Sequence, residues 1–192
     1  VERMQGLISN LVMIARSQEQ NKDEYIKLDL FKPVTETAET FVPVAESDGK
    51  TLEIFVEKDI CIIGSDSDIR QLVSLLTDNA VKYCDPDGNI SVRLKKQGKN
   101  AVLTVTNTYA SADTADTGKF FERFYREDES HNEKGGYGIG LSVAESLASS
   151  MGGSIEASHM DGNIIFTCKF KAEVARSGPP PQGLRIYRPL GC

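Results

Sequence analysis

The sequence predicts an α+β domain, a two-layer sandwich in which helices cover one face of a mixed, mostly antiparallel sheet. Three patterns point there. Short stretches alternate apolar and polar residues, as in Thr51–Glu57, where Leu52, Ile54 and Val56 share one face. Other stretches carry helical periodicity, the clearest over Leu141, Val143, Ala144, Leu147, Ala148 and Met151. Turn-forming clusters such as Ser47-Asp48-Gly49-Lys50 and Pro86-Asp87-Gly88-Asn89 separate the two kinds of segment.

The elements follow in order. Met4, Leu7, Ile8, Leu11, Val12 and Ala15 form the apolar stripe of an amphipathic helix. Its alternatives are a helix packed on its own domain and a helix that joins a bundle. Gln18 to Glu24 is polar and reads as a linker. Tyr25 to Leu30 alternates like a short strand, and Val34 to Ala45 reads as a helix that Pro43 ends or kinks. Strands are expected at 51–57 and 61–63, then a helix over Asp68–Tyr83 capped by Ser65 or Asp66. Residues 90–95 and 101–106 form a hairpin around Gly98-Lys99. A helix over 137–151 stops at Gly152-Gly153, and strands at 154–157 and 164–170 close the domain around Asp161-Gly162-Asn163. That makes about five main strands in the sheet. The Gly178-Pro179-Pro180-Pro181 stretch cannot continue a strand or helix, so the tail to Cys192 is expected to be extended and poorly ordered.

Composition bounds the function. The 192 residues are 40% hydrophobic and 26% charged, enough for one well-cored domain plus appendages. A net charge of −6 argues against a general nucleic-acid binder, which would be basic. No apolar run approaches the ~18 residues that span a bilayer, and no signal peptide is visible. Cys61, Cys84, Cys168 and Cys192 are scattered without Cys-x-x-Cys spacing, so they read as reduced thiols rather than disulfide or zinc ligands. A start at Val1 rather than Met is expected of a piece of a longer protein.

The chemistry concentrates in two places. Gly135 to Ser142 reads Gly-Gly-Tyr-Gly-Ile-Gly-Leu-Ser and opens onto a helix, where free backbone N–H groups and the positive dipole end suit a phosphate. Some fifty residues earlier, Asn79 offers an oxygen to a hard cation such as Mg²⁺, and Lys82 places a positive charge nearby on the same face. Together they describe a magnesium–ATP site.

Here the chain resembles the sensor histidine kinases. Asp78-Asn79-Ala80-Val81-Lys82-Tyr83 is similar to their N box, Phe120-Phe121-Glu122-Arg123-Phe124-Tyr125-Arg126 to their F box, and Gly135 to Leu141 to their G2 box, all in the family order. The resemblance implies the Bergerat ATP-binding fold, with ATP and Mg²⁺ as cofactors. It implies that residues 1–20 are the second helix of a dimerisation and phosphotransfer hairpin, 25–172 the catalytic domain, and 173–192 an extended tail. It further implies transfer of the γ-phosphoryl group to a His on an upstream helix, relay to a response regulator, and a homodimeric full-length kinase. The domain would be the cytoplasmic part of a membrane-anchored bacterial protein.

Carried over residue by residue, the resemblance puts Asn79 on the metal, Lys82 on phosphate and Tyr83 beside the nucleotide. Gly136, Gly138, Ile139, Gly140 and Leu141 approach the phosphates. Arg126, in front of a lid, meets the γ-phosphate. Phe120, Phe121, Phe124 and Tyr125 look like lid anchors docking on the core. Thr167 would sit near the adenine. Three departures matter. The family's G1 box begins with an Asp that accepts from the adenine amino group; Asn107 stands there, a neutral acceptor, and Tyr109 and Ser111 replace glycines. Leu75 stands where related ATPases hold a water-activating acid, so hydrolysis should be poor and the γ-phosphate kept for another acceptor. Neither His131 nor His159 has a phosphoacceptor's context, so the chain is expected to begin after the acceptor helix. The alternative function is a degenerate nucleotide-binding module that regulates with little catalysis.

Overall fold

A computed structural model describes residues 25–125, 138–173 and 184–187. The amphipathic stripe at residues 4–15, and Arg126, His131 and Gly136, lie outside the described residues. Among the described residues, eight strands and four α-helices follow one another: β1 (Ile26–Asp29), α1 (Phe31–Glu39), α2 (Val42–Ser47), β2 (Thr51–Val56), β3 (Cys61–Gly64), α3 (Asp66–Tyr83), β4 (Asn89–Gln97), β5 (Asn100–Thr108), α4 (Gly140–Ser150), β6 (Ser154–Met160), β7 (Asn163–Lys171) and β8 (Leu184–Tyr187). None of these helices is long and apolar enough to cross a membrane.

The main sheet runs β6-β7-β5-β4-β2-β8, with β2 parallel to β4 and every other pair antiparallel. Strands β1 and β3 form a separate antiparallel ribbon. Alternation sets the layers. Ile54, Val92, Val105 and Phe166 stand in one cross-strand row, and Val56, Leu94, Leu103 and Cys168 in another, all buried. This inner face is covered by the apolar stripes of α3 (Ile69, Leu72, Leu76, Ala80) and α4 (Val143, Ala144, Leu147, Ala148), and the whole forms one core cluster. The fold is the expected two-layer sandwich.

The boundaries differ from expectation in physically clear ways. The single helix expected over 34–45 is two helices that meet at Thr40-Phe41. Pro43 does not end a helix; it lies in the first turn of α2, where its missing N–H is not needed. Ser65 takes the N-cap position of α3, but its Oγ meets Ser67 Oγ at 2.8 Å and does not cap the backbone. Helix α4 begins at Gly140, not 137. The tail is not wholly irregular: β8 pairs antiparallel with β2 and covers what would otherwise be an open sheet edge.

The C-terminal end of α3 is fastened by a buried lysine. Helix ends leave carbonyls without intrahelical partners. Lys50, 8% exposed, donates from Nζ to the Val81 carbonyl at 2.6 Å and lies 3.4 Å from Asp48 Oδ2. Its charge also complements the negative end of the α3 dipole. Replacing Lys50 with Ala should lower stability by about 1–3 kcal/mol. A urea titration checks this, with a shifted midpoint and an unchanged slope.

Candidate functional site

Helix α3 turns its apolar stripe to the sheet and leaves Leu75, Asp78, Asn79 and Lys82 half-buried along its flank. The spacing from Leu75 to Asn79 is one turn, which puts both on the same side. Asn79 is uncharged and sits close to the C-terminal end of the helix. Lys82 Nζ donates to Asp78 Oδ2 at 2.5 Å. Both partners are more than a third exposed, so this i,i+4 pair adds little to stability and Lys82 can exchange it for another anion. Tyr83 is 39% exposed at the last helical position.

Helix α4 brings the second part. Gly138 adopts φ +67° and Ile139 is the buried N-cap residue. No acidic residue occupies the first turn of α4, so that turn carries no charge opposing an anion at its N-terminus. A Cβ on Gly140 would lie 3.7 Å from Leu75 Cδ2, which places the start of α4 against the Leu75–Asn79 flank of α3. The structure therefore brings Asn79, Gly138, Ile139, Gly140 and Leu141 to one end of the α3–α4 pair.

The F box closes on this end from outside. Phe120 and Phe121 pack on Phe166 of β7, with ring centroids 6.1 and 6.4 Å away, and Tyr125 stacks behind Phe120 at 6.3 Å. Phe166 was not singled out in the sequence; its signal was an aromatic at an inward position of β7. Phe124 departs from the expected anchor role. It is 68% exposed and takes φ +67°, a costly conformation for a bulky residue. Its N–H donates to the Gly138 carbonyl at 2.9 Å. A Cβ on Gly138 would come within 2.7 Å of the Tyr125 carbonyl oxygen and 2.8 Å of the Phe124 carbonyl carbon. Backbone thus clasps backbone at the two ends of the 126–137 segment, and only glycine fits at residue 138.

Asn107 ends the inner face of β5. Its cross-strand row is Leu52, Ile90, Asn107 and Ile164, so it is a lone polar residue among apolar ones, 1% exposed. Nδ2 donates to the Thr108 carbonyl at 3.2 Å, which leaves Oδ1 as an acceptor. The same carbonyl accepts from the Asp85 N–H at 3.1 Å, and Thr108 Oγ1 accepts from the Asn89 N–H at 3.0 Å. Thr108 therefore ties the Asn107 end of β5 to the loop that leaves α3. Only the Asn-Thr pairing at a strand end hinted at this. Tyr109, in place of a glycine, packs half-buried against the core, while Ser111 is exposed.

Thr167 does not join the site. It pairs with Thr104 and Glu156, whereas its neighbours Phe166 and Cys168 face the core. Alternation puts Thr167 on the face of the sheet turned away from α3 and α4; the residue opposite Asn107 is Ile164. His159 lies 3.4 Å from Asp113 at the exposed end of β6, as a surface residue.

The sequence model of the histidine kinase-, DNA gyrase B-, and HSP90-like ATPases matches residues 64–174. This chain belongs to that family. The matched span of this ATPase-family chain runs from the end of β3 through β7 and holds every described residue of the site. Among curated relatives, sensor protein DltS of Streptococcus agalactiae is 31% identical over 157 residues, covering 81% of this chain and 40% of the relative. The probable sensor protein PcoS of Escherichia coli is 30% identical over 171 residues, covering 86% of this chain and 36% of the relative. The chain thus spans well under half the length of these sensor proteins. The mycobacterial sensor histidine kinase MprB superposes with a TM-score of 0.66 at 21% identity, over 77% of this chain and 97% of that one. Full-length ShkA, solved with AMPPNP, gives 0.72 at 20% identity, over 88% and 36%. These structures share the fold.

Two glycines should behave differently. Gly138→Ala should break the clasp and abolish hydrogen-exchange protection at the Phe124 amide. Gly140→Ala should leave protection and melting temperature unchanged, because its Cβ meets only ordinary contacts. A loss of ligand affinity in Gly140→Ala then reports on the ligand's approach, not on packing.

Proposed function

We propose that the chain is the ATP-binding catalytic module of a sensor histidine kinase, which passes the ATP γ-phosphoryl group to a His on an upstream helix. The observation that carries this reading is the approach of the Leu75–Asn79 flank of α3, through Leu75, to the Gly138–Gly140 turn at one end of the α3–α4 pair. The first backbone N–H groups of α4 face the phosphates, Lys82 leaves Asp78 to offset their charge, and Asn107 Oδ1 accepts from the adenine amino group. Tyr83 lies against the nucleotide.

The residues present also fit Mg²⁺. Mg²⁺ takes most of its ligands from phosphates and water, so one neutral oxygen suffices. Asn79 is that ligand, and no cluster of His, Cys, Asp or Glu that could form a separate cage exists among the described residues. Held by Asn79, the ion would supply positive charge to neutralise the phosphates. The chain's own part is positioning: α4 and Lys82 hold the phosphates, and Leu75 supplies no base to activate water, so the γ-phosphoryl group is kept for the His. In the whole protein, the partners are the dimerisation and phosphotransfer helices, to which residues 1–20 belong, and a response regulator. The catalytic domain is cytoplasmic and the whole kinase membrane-anchored. Arg126 and Gly136 complete the phosphate side.

Tyr109 and Ser111 in place of glycines favour one other reading, a regulatory module with little catalysis. Calorimetry with an ATP analogue separates the two. Saturable binding that weakens without Mg²⁺, and by about tenfold or more in Asn79→Ala, together with phosphotransfer to a supplied acceptor hairpin, supports the kinase. Binding without transfer supports the regulatory module, and no binding at millimolar nucleotide sinks the nucleotide site itself.

Asn107→Asp should act in two directions at once. A carboxylate cannot donate to the Thr108 carbonyl, so the free protein should lose about 1 kcal/mol of stability. The charged acceptor should tighten ATP-analogue binding several-fold. A denaturation curve and a titration on the same sample read both effects.

A further inference from the structure

Asp68, in the first turn of α3, is completely buried. A buried carboxylate is costly unless its oxygens are hydrogen-bonded. Its Oδ2 accepts from the Tyr25 hydroxyl at 3.1 Å, and its Oδ1 has no hydrogen-bond partner among the described residues. The same Tyr25 oxygen lies 2.9 Å from Oγ of Ser150, the last residue of α4. With the phenolic proton donated to Asp68, the Ser150 hydroxyl, which also reaches the Leu147 carbonyl at 2.9 Å, is the donor to the Tyr25 oxygen. Burial, with a smaller contribution from Asp68, pushes the Tyr25 phenol above its usual range, so it stays a donor at neutral pH. One hydroxyl therefore joins the start of α3, the end of α4 and the entrance to β1.

This junction lies at the far end of the helix pair. Asp68 meets Ser150 through Tyr25, and Leu75 meets Gly140, so α3 and α4 run antiparallel. Asn79 lies eleven residues beyond Asp68, about 16 Å along the axis, and Gly140 ten residues before Ser150, about 15 Å. Between the ends, the buried residues of the two helices are largely apolar, Leu72 and Leu76 on α3 and Ala144, Leu147 and Ala148 on α4 among them. Apolar contact is non-directional and holds the helices together without fixing how far one slides along the other. Directional hydrogen bonds at the Tyr25 hydroxyl fix that offset.

We propose that Tyr25 is a positioning residue for the phosphate half of the site. By pinning α3 to α4, it sets the span between Asn79 and the Gly138–Gly140 turn, and leaves the base-facing Asn107 on β5 unaffected. The inference rests on the nucleotide reading above. It is tested with Tyr25→Phe, which keeps the ring, and Ser150→Ala, which removes one arm of the junction if the first variant folds poorly. Titrations with Mg-ATP analogue and with adenosine are run well below the melting temperature. The expected result is Mg-ATP binding weakened about five- to tenfold in Tyr25→Phe, less in Ser150→Ala, with adenosine binding unchanged. Adding Asp68→Asn to Tyr25→Phe should cost no further affinity, because both act through one bond. Mg-ATP affinity within twofold of the parent, or equal losses for Mg-ATP and adenosine, would overturn the proposal. A parent chain that binds neither compound overturns the nucleotide reading itself, and the positioning role with it.

Discussion

The antiparallel packing of α3 on α4, over one face of the sheet, is the constraint from which the rest follows. Each helix presents one apolar stripe, and the sheet offers one apolar face, so the three can bury their surfaces only in this two-layer stack. The stack fixes which helix ends meet. The C-terminal half of α3, with Asn79, comes to the N-terminus of α4, where backbone N–H groups lack intrahelical partners. A binding site thus arises at the place where the helix pair has unused hydrogen-bonding capacity.

That end is not left to the helices alone. Lys50 closes the Val81 carbonyl at the end of α3, and Thr108 ties the end of β5 to the loop beyond α3. The Phe124–Gly138 clasp closes the base of the 126–137 segment while Phe120 and Phe121 hold the F box to Phe166. The strained backbone at Phe124 is held by two independent attachments, the aromatic cluster on one side and the Gly138 carbonyl on the other. A strained conformation persists only where its surroundings over-determine it.

Most of the fold was legible in the sequence because burial imposes period 2 on strands and period 3.6 on helices. Leu52, Ile54 and Val56 alternate because only one face of β2 is covered. What stayed illegible depended on partners distant in sequence. Pro43 could end one helix or open the next, and only the register between α1 and α2 decides which. The strand at 184–187 follows from the open edge of β2, which no local pattern in the tail reveals. In the candidate site, Asn79, Lys82 and the glycines are proposed from spacing and resemblance. Thr167 was misplaced by one residue of strand parity: its hydroxyl chemistry suited the site, but its position in β7 faces away. Tyr25 and Asp68, 43 residues apart, gave no sequence signal at all.

The site's electrostatics are unusual for an acidic protein. The chain carries a net charge of −6, yet its described site residues are uncharged apart from Lys82 and Asp78, which pair with each other. A triphosphate brings several negative charges of its own, and a carboxylate facing it would repel it across a short, poorly screened distance. On the nucleotide reading, Asn79 offers an oxygen acceptor on the phosphate side without that repulsion, while Asn107 serves the base. On the proposed reading, the cost is weaker attraction for the metal and for the base's amino group. The remaining attraction then falls on the N-terminus of α4 and on Lys82, both aimed at phosphate. On this arrangement, affinity resides in the phosphates more than in the base, so the alignment of α3 against α4 matters more here than in a site anchored by a buried carboxylate.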